Sequence, residues 1–159
     1  ELHDQIKAAQ ALARLPYIDK ARIGIFGWSF GGYMACLAAT RGGDTWRAAV
    51  AVAPVTSWRF YDTIYTERYL STPQENPQGY DLNSPLTYAD DLSSRLLLVH
   101  GTADDNVHFQ NSMQFSGLLV SAGKPFEQMV YADKNHSIYG GATRLHLFSK
   151  ITNFLLTNL

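Results

Sequence analysis

Apolar residues along this chain fall into two alternating rhythms. Four short and almost unbroken apolar runs occupy positions 22–26, 48–52, 96–100 and 128–131. The first three are nearly continuous, as parallel strands covered on both faces require. Between them the apolar positions recur at helical spacing. The spacing predicts helices over 30–40, closed by Gly42-Gly43, and over 58–70, where Trp58, Tyr61 and Tyr65 stand at i, i+3 and i+7. It predicts a short helix opened by Ser84-Pro85, a helix over 107–122 stopped at Gly123, and one over 142–156. In the last of these, Leu145, Phe148, Ile151 and Leu155 share one side. The opening fifteen residues also read as helix, with Leu2, Ile6, Ala9 and Ala13 on one face. Segment 71–83, "STPQENPQGYDLN", is rich in Pro, Gly and Asn and reads as a surface loop. This alternation predicts an α/β fold: four mainly parallel strands with flanking helices, and ligands beyond the carboxyl ends of the strands.

Those strand ends carry chemistry. The first run leads into Gly27-Trp28-Ser29-Phe30-Gly31, a G-x-S-x-G pattern between strand and helix. A sharp strand-to-helix turn crowds its neighbours, so the positions two away from the serine are expected to lack a Cβ. Such a turn exposes the serine Oγ and leaves the Phe30 N–H at a helix N-terminus, where an oxyanion would form. The pattern alone arises by chance in roughly one chain in twenty of this length. A serine nucleophile also needs a base, and the base an orienting acid. The third run ends in "HGTADDNVHF", supplying Asp104 and Asp105, and the fourth in "YADKNHS", supplying His136. Spacing does not choose between the two aspartates. His100 closes a buried strand and reads as a hydrogen-bonded core residue. His3, His108 and His146 lie on helical patterns, while Asp90 and Asp91 stand at the wrong end of the third strand.

Composition narrows the class. With 46% hydrophobic and 17% charged residues in 159, the chain is globular and can bury a core. A net charge of −1 without a basic cluster argues against nucleic acid or an anionic membrane as partner. No apolar run approaches the ~20 residues of a transmembrane span. Cys36 is the only cysteine, which excludes an internal disulfide and a multi-cysteine metal site. A chain that opens inside a helix, without an initiator methionine, reads as a piece of something longer.

The motifs "GWSFGGYM", "APVTSWRFYDTIYTERY", "HGTADDNVHFQ" and "DKNHS" resemble the catalytic domain of the prolyl oligopeptidase family of serine peptidases, in its dipeptidyl peptidase IV branch. The likeness runs through essentially the whole chain, and "TPQENPQGY" is similar to bacterial members. It implies the C-terminal half of an α/β-hydrolase fold over 1–159, with earlier strands and a β-propeller lying outside. It implies Ser29 as nucleophile, Asp104 as orienting acid and His136 as general base, with Asp105 structural. It implies Phe30, Val55, Trp58, Tyr61, Tyr65 and Val107 around a proline ring, and Asn106 on a substrate carbonyl. The implied activity is release of N-terminal Xaa-Pro or Xaa-Ala dipeptides through an acyl-enzyme, with no metal or organic cofactor. The alternatives are a prolyl endopeptidase, an acylaminoacyl peptidase, or an inactive fold-only fragment. Further implications are a homodimer in the full-length protein and a periplasmic, cell-envelope or secreted location.

Phe30 stands where many members of the family carry tyrosine. The family's second oxyanion donor and its amine-binding acids lie before this segment. The strand at 22–26 is then expected to show an apolar edge, paired in a dimer or otherwise buried.

Overall fold

Four strands form one wholly parallel sheet in the order β1-β2-β3-β4, each beside its predecessor in sequence. They are β1 (Gly24–Trp28), β2 (Ala48–Val52), β3 (Arg95–Gly101) and β4 (Glu127–Tyr131). The computed structural model describes residues 1–159. Helices α1 (Leu2–Leu12), α2 (Phe30–Arg41), α3 (Thr63–Leu70), α4 (Pro77–Asp81), α5 (Gln110–Ser121) and α6 (Thr143–Asn158) complete it. The α/β architecture with a parallel sheet and flanking helices expected from the alternation is the one observed.

Period-two alternation splits the strand residues between two cores. Ala49, Ala51, Leu96 and Leu98 pack with Ala35, Cys36 and Ala39 of α2 and with Phe115 and Leu119 of α5. Ala48, Val50, Val52, Leu97 and Val99 pack with Leu147, Ile151 and Phe154 of α6. The alanines of β2 and α2 let that helix lie close to the sheet, so α2 is buried almost all round. α1 rests on it through Ala9, Ala38 and Trp46, using the face that its sequence presents.

Several boundaries differ from expectation. β1 runs on through Gly27 and Trp28, and Ser29 N–H still bonds Val52 O at 2.9 Å, so the turn begins only at the serine. The helix expected over 58–70 is broken. A 3₁₀ turn at Trp58–Phe60 gives way to extended Tyr61, and α3 starts afresh because the Asp62 carboxylate accepts Tyr65 N–H at 2.8 Å. The loop at 71–83 contains α4, where Asn76 caps by accepting Gly79 N–H and Pro77 fills the first turn. Ser84 does not cap the following 3₁₀ segment; its hydroxyl donates to Thr56 O at 2.6 Å. α5 begins at Gln110, three residues after the expected start. α6 carries two apolar stripes, and the one containing Leu147, Ile151 and Phe154 meets the sheet. Leu145 and Phe148 are exposed instead. On β1, Phe26 is 48% exposed on the sheet face that also carries α6.

Candidate active site

Ser29 sits at φ 60° and ψ −117°, outside the comfortable regions for a residue with a Cβ. It joins the end of β1 to α2, and its carbonyl accepts Tyr33 N–H at 3.0 Å. The sharpness of the turn is set by two glycines. A Cβ on Gly27 would lie 2.7 Å from Gly31 Cα and closer still to that residue's carbonyl. A Cβ on Gly32 would lie 2.7 Å from Val52 O and 3.0 Å from Pro54 Cα. A Cβ on Gly31 would meet nothing within 4 Å, which corrects the expectation of crowding on both sides of the serine. The Phe30 N–H, first in α2, has no intrahelical acceptor and lies at the positive end of the helix.

Asp104 and His136 are joined directly, Nδ1 to Oδ2, at 2.7 Å. The Asp104 side chain is fully buried, whereas the imidazole is 21% exposed at the rim. Asp104 Oδ1 accepts the Asn106 and Val107 N–H groups at 3.0 and 2.9 Å, and Oδ2 also meets His100 Nε2 at 3.1 Å. Burial pushes this carboxyl up, but hydrogen bonds from His100, His136 and Asn106 outweigh it and hold the group well below the usual carboxylate range. Asp105 is exposed and its carboxylate accepts no hydrogen bond, so it is not the structural residue it was expected to be. The pair is thereby resolved by geometry.

The loops bearing Asp104 and His136 are fastened to each other. Thr102 N–H bonds Tyr131 O, Ala103 N–H bonds Lys134 O, and Asp133 N–H bonds Thr102 Oγ1, at 3.0, 3.1 and 2.9 Å. Gly101 allows this approach, since a Cβ there would strike the Lys134 and Asn135 backbone. Ile138, wholly buried at φ 45°, anchors the far side of the histidine loop against the α6 core. No hydrogen bond joins Ser29 Oγ to His136. The link between them is the neighbour of the serine: Trp28 Nε1–H donates to His136 O at 3.0 Å.

Beside Ser29 the aromatic rings gather although the helix proposed to align them is broken. Trp58, Tyr61 and Tyr65 form a three-ring box with centroid separations of 5.8, 5.8 and 5.5 Å. Phe30 lies 5.9 Å from Trp58. Val55 and Val107 are buried behind these rings rather than on the open wall. Tyr61 OH donates to Asn106 Oδ1 at 2.8 Å, leaving both hydrogens of that exposed amide for another acceptor.

Sequence reasoning passed over Trp28, Tyr33, Asn111 and the full role of His100. Tyr33 packs edge-on against Phe30 and Trp58. Asn111, wholly buried, takes the Thr56 N–H on Oδ1 at 2.9 Å and donates to His108 O at 3.0 Å, tying the Val55 segment to the aspartate loop. The signal available was an adjacent Asn-Ser pair, polar residues inside a segment expected to be helix. His3 and His108 are exposed, as are Asp90 and Asp91, and His146 pairs with Tyr131 OH at 2.8 Å. No group of three or more His, Cys, Asp or Glu side chains is placed to hold a metal ion. No helix is long and apolar enough to cross a membrane.

A strained serine between strand and helix, with an Asp–His pair on later strand ends of a parallel sheet, is the arrangement of an α/β-hydrolase-type serine hydrolase. The chain belongs to the prolyl oligopeptidase family, whose model matches residues 1–159. It is similar to the crystal structure of Porphyromonas gingivalis dipeptidyl peptidase 4, with 54% identity and a TM-score of 0.97 over 99% of this chain and 22% of that one. It is 42% identical to dipeptidyl peptidase 4 of Felis catus, over 98% of this chain and 21% of that protein. Its identity to dipeptidyl peptidase 4 of Bos taurus is 40%, with the same coverage. The chain therefore spans about a fifth of the length of the relatives it matches.

Proposed function

We propose that this chain carries the catalytic triad and proline-binding wall of a serine dipeptidyl peptidase, acting within a longer polypeptide. The observation that carries the reading is the 2.7 Å Asp104–His136 bond beside a serine strained at φ 60°. In this reading Ser29 Oγ attacks the scissile carbonyl while His136 Nε2 takes its proton. Asp104 keeps the imidazole proton on Nδ1 and stabilises the imidazolium that forms. The Phe30 N–H receives the developing oxyanion. His136 then protonates the leaving amine, and water resolves the acyl-enzyme by the same steps in reverse.

The aromatic box supports proline as the residue before the cleaved bond. Proline has a compact apolar ring and no N–H, so a slot of Trp58, Tyr61 and Tyr65 covers it without stranding a donor. Alanine fits the same slot with less contact. The Asn106 amide is free to donate to a substrate carbonyl on the amino side. The names of the similar proteins from Porphyromonas gingivalis and Felis catus support the dipeptidyl reading over an endopeptidase.

The test uses the full-length protein. It is expected to hydrolyse a Gly-Pro chromogenic amide and to leave the N-blocked amide intact. Equal cleavage of both overturns the exopeptidase reading. A fluorophosphonate probe is expected to label Ser29, with Ser29→Ala unlabelled, and a wild-type protein that resists the probe overturns the serine hydrolase reading itself.

A further inference from the structure

Behind Asp104 lies a second imidazole, and it is connected at both nitrogens. His100 follows Leu96 and Leu98 on the α5 face of β3, where the alternation of the strand calls for another apolar residue. Its side chain is wholly buried and Phe109 closes over it edge-on at 5.7 Å. Nε2 lies 3.1 Å from Asp104 Oδ2 and 2.8 Å from Val107 O. Both are acceptors, so Nε2 carries a proton. Nδ1 lies 2.7 Å from Ser112 Oγ, and Ser112, wholly buried at the start of α5, has no other hydrogen-bond partner for that hydroxyl. The Ser112 hydrogen therefore goes to Nδ1, and the partners fix His100 as the Nε2–H tautomer.

The carboxylate in front of it is then saturated. Its four acceptor directions take Asn106 N–H, Val107 N–H, His136 Nδ1–H and His100 Nε2–H. A carboxylate held by four donors cannot turn about its last torsion. It is also a weak proton acceptor, so the shared proton stays on His136 Nδ1 and leaves Nε2 free to act as base. His100 further pins the Val107 carbonyl while Asp104 takes the Val107 N–H, so the same network sets the backbone behind the aromatic box.

We propose that His100, locked by Ser112, is a positioning residue of the triad: a donor behind Asp104 that fixes the rotation and proton affinity of the carboxylate facing His136. The proposal rests on reading Ser29, Asp104 and His136 as a triad. It makes the apparatus behind Ser29 a hydrogen-bonded chain of four side chains, running from Ser112 through His100 and Asp104 to His136. A purely packing role for His100 would be served as well by leucine.

The experiment compares His100→Leu, His100→Gln and Ser112→Ala in the full-length protein. The readouts are the thermal melt, the fluorophosphonate labelling rate, kcat and KM on a Gly-Pro amide, and the low-field proton resonance of His136 Nδ1–H. Removing the hydrogen-bond partner behind a metal-ligating histidine commonly costs about 10–100-fold, and the Asp104 carboxylate is held by the same kind of contact. A fall of that order is expected in kcat and labelling rate for His100→Leu, with KM changed less than kcat and the resonance moved downfield. His100→Gln, which keeps an N–H near Nε2, is expected to recover most of the rate and the wild-type resonance. Ser112→Ala is expected to give a smaller fall of the same pattern, and it keeps the proposal testable if His100→Leu does not fold. Equal losses in the Leu and Gln variants, or wild-type rate and resonance in Ser112→Ala, overturn the proposal. A wild type that resists the probe instead overturns the triad reading, and the resonance still reports, without turnover, whether His100 holds the Asp104–His136 pair.

Discussion

Replacing Gly27 with alanine tests the claim that the serine turn is shaped by backbone contact rather than by sequence habit. The added methyl group would arrive 2.7 Å from Gly31 Cα and closer to its carbonyl, where ordinary contact begins near 3.4 Å. Both sides of the clash are backbone, one in β1 and one in the first turn of α2, so no side chain can swing away. The start of the helix must retreat by on the order of 1 Å, and overpacking of this kind costs about 1–3 kcal/mol. In a domain of this size each kcal/mol lowers Tm by about 2–4 °C. A 1 Å displacement of the serine relative to its base can cost on the order of 100-fold in rate. Gly27→Ala is therefore expected to lose several degrees in a thermal melt and most of its fluorophosphonate labelling. Gly31→Ala is the control, because its Cβ meets nothing within 4 Å and the residue lies in a helix. There alanine is favoured over glycine by about 0.8–1 kcal/mol, so the melt should hold or rise. Wild-type labelling in Gly27→Ala, or equal damage in Gly31→Ala, refutes the reasoning.

Trp28→Phe keeps the ring and removes the N–H bound to His136 O. With about 1 kcal/mol at stake in such a bond, labelling of Ser29 should slow by about fivefold, and an unchanged rate counts against this link. Asn111→Ala leaves the buried Thr56 N–H without its acceptor, a loss of about 1–3 kcal/mol that a urea titration would register as a lower midpoint. Asp104 has its folded value held below the ordinary one, so the unfolded chain binds more protons and wild-type stability rises with pH across that window. The stability advantage of wild type over Asp104→Asn should be full above about pH 5 and shrink as pH falls below about 4. A constant difference between pH 6 and pH 3 in chemical unfolding contradicts the assignment.

The layered sheet was readable because its two central strands are buried on both faces and the strands are separated by helices with clear stops. The candidate triad was readable for a related reason: strand ends in a parallel sheet all open on one side, so residue type and order led to Ser29, His136 and the Asp104–Asp105 pair, without separating the two aspartates. What escaped was decided by capping and by close contact. Asp62 ends one helix and starts another through a single hydrogen bond, which a periodic aromatic pattern hides. The two apolar stripes of α6 are equally helical, and only packing selects Leu147 over Leu145. Periodicity likewise cannot tell that Gly31 faces open space while Gly27 and Gly32 touch backbone. His100 was correctly expected as a hydrogen-bonded core residue, but spacing cannot show that its partner is Asp104.

The splice between the Asp104 and His136 loops gives the site an uneven stiffness. Asp104 and His136 ride on β3 and β4 as one bracket, cross-tied through Thr102, Ala103 and Asp133. The serine travels on β1, which β2 separates from the bracket, and is tied to that bracket near the serine by one indole hydrogen bond. Small distortions of the molecule will thus leave the Asp–His distance almost unchanged and appear as sliding of the nucleophile past the imidazole. The gap between Oγ and Nε2 is the soft coordinate of this arrangement.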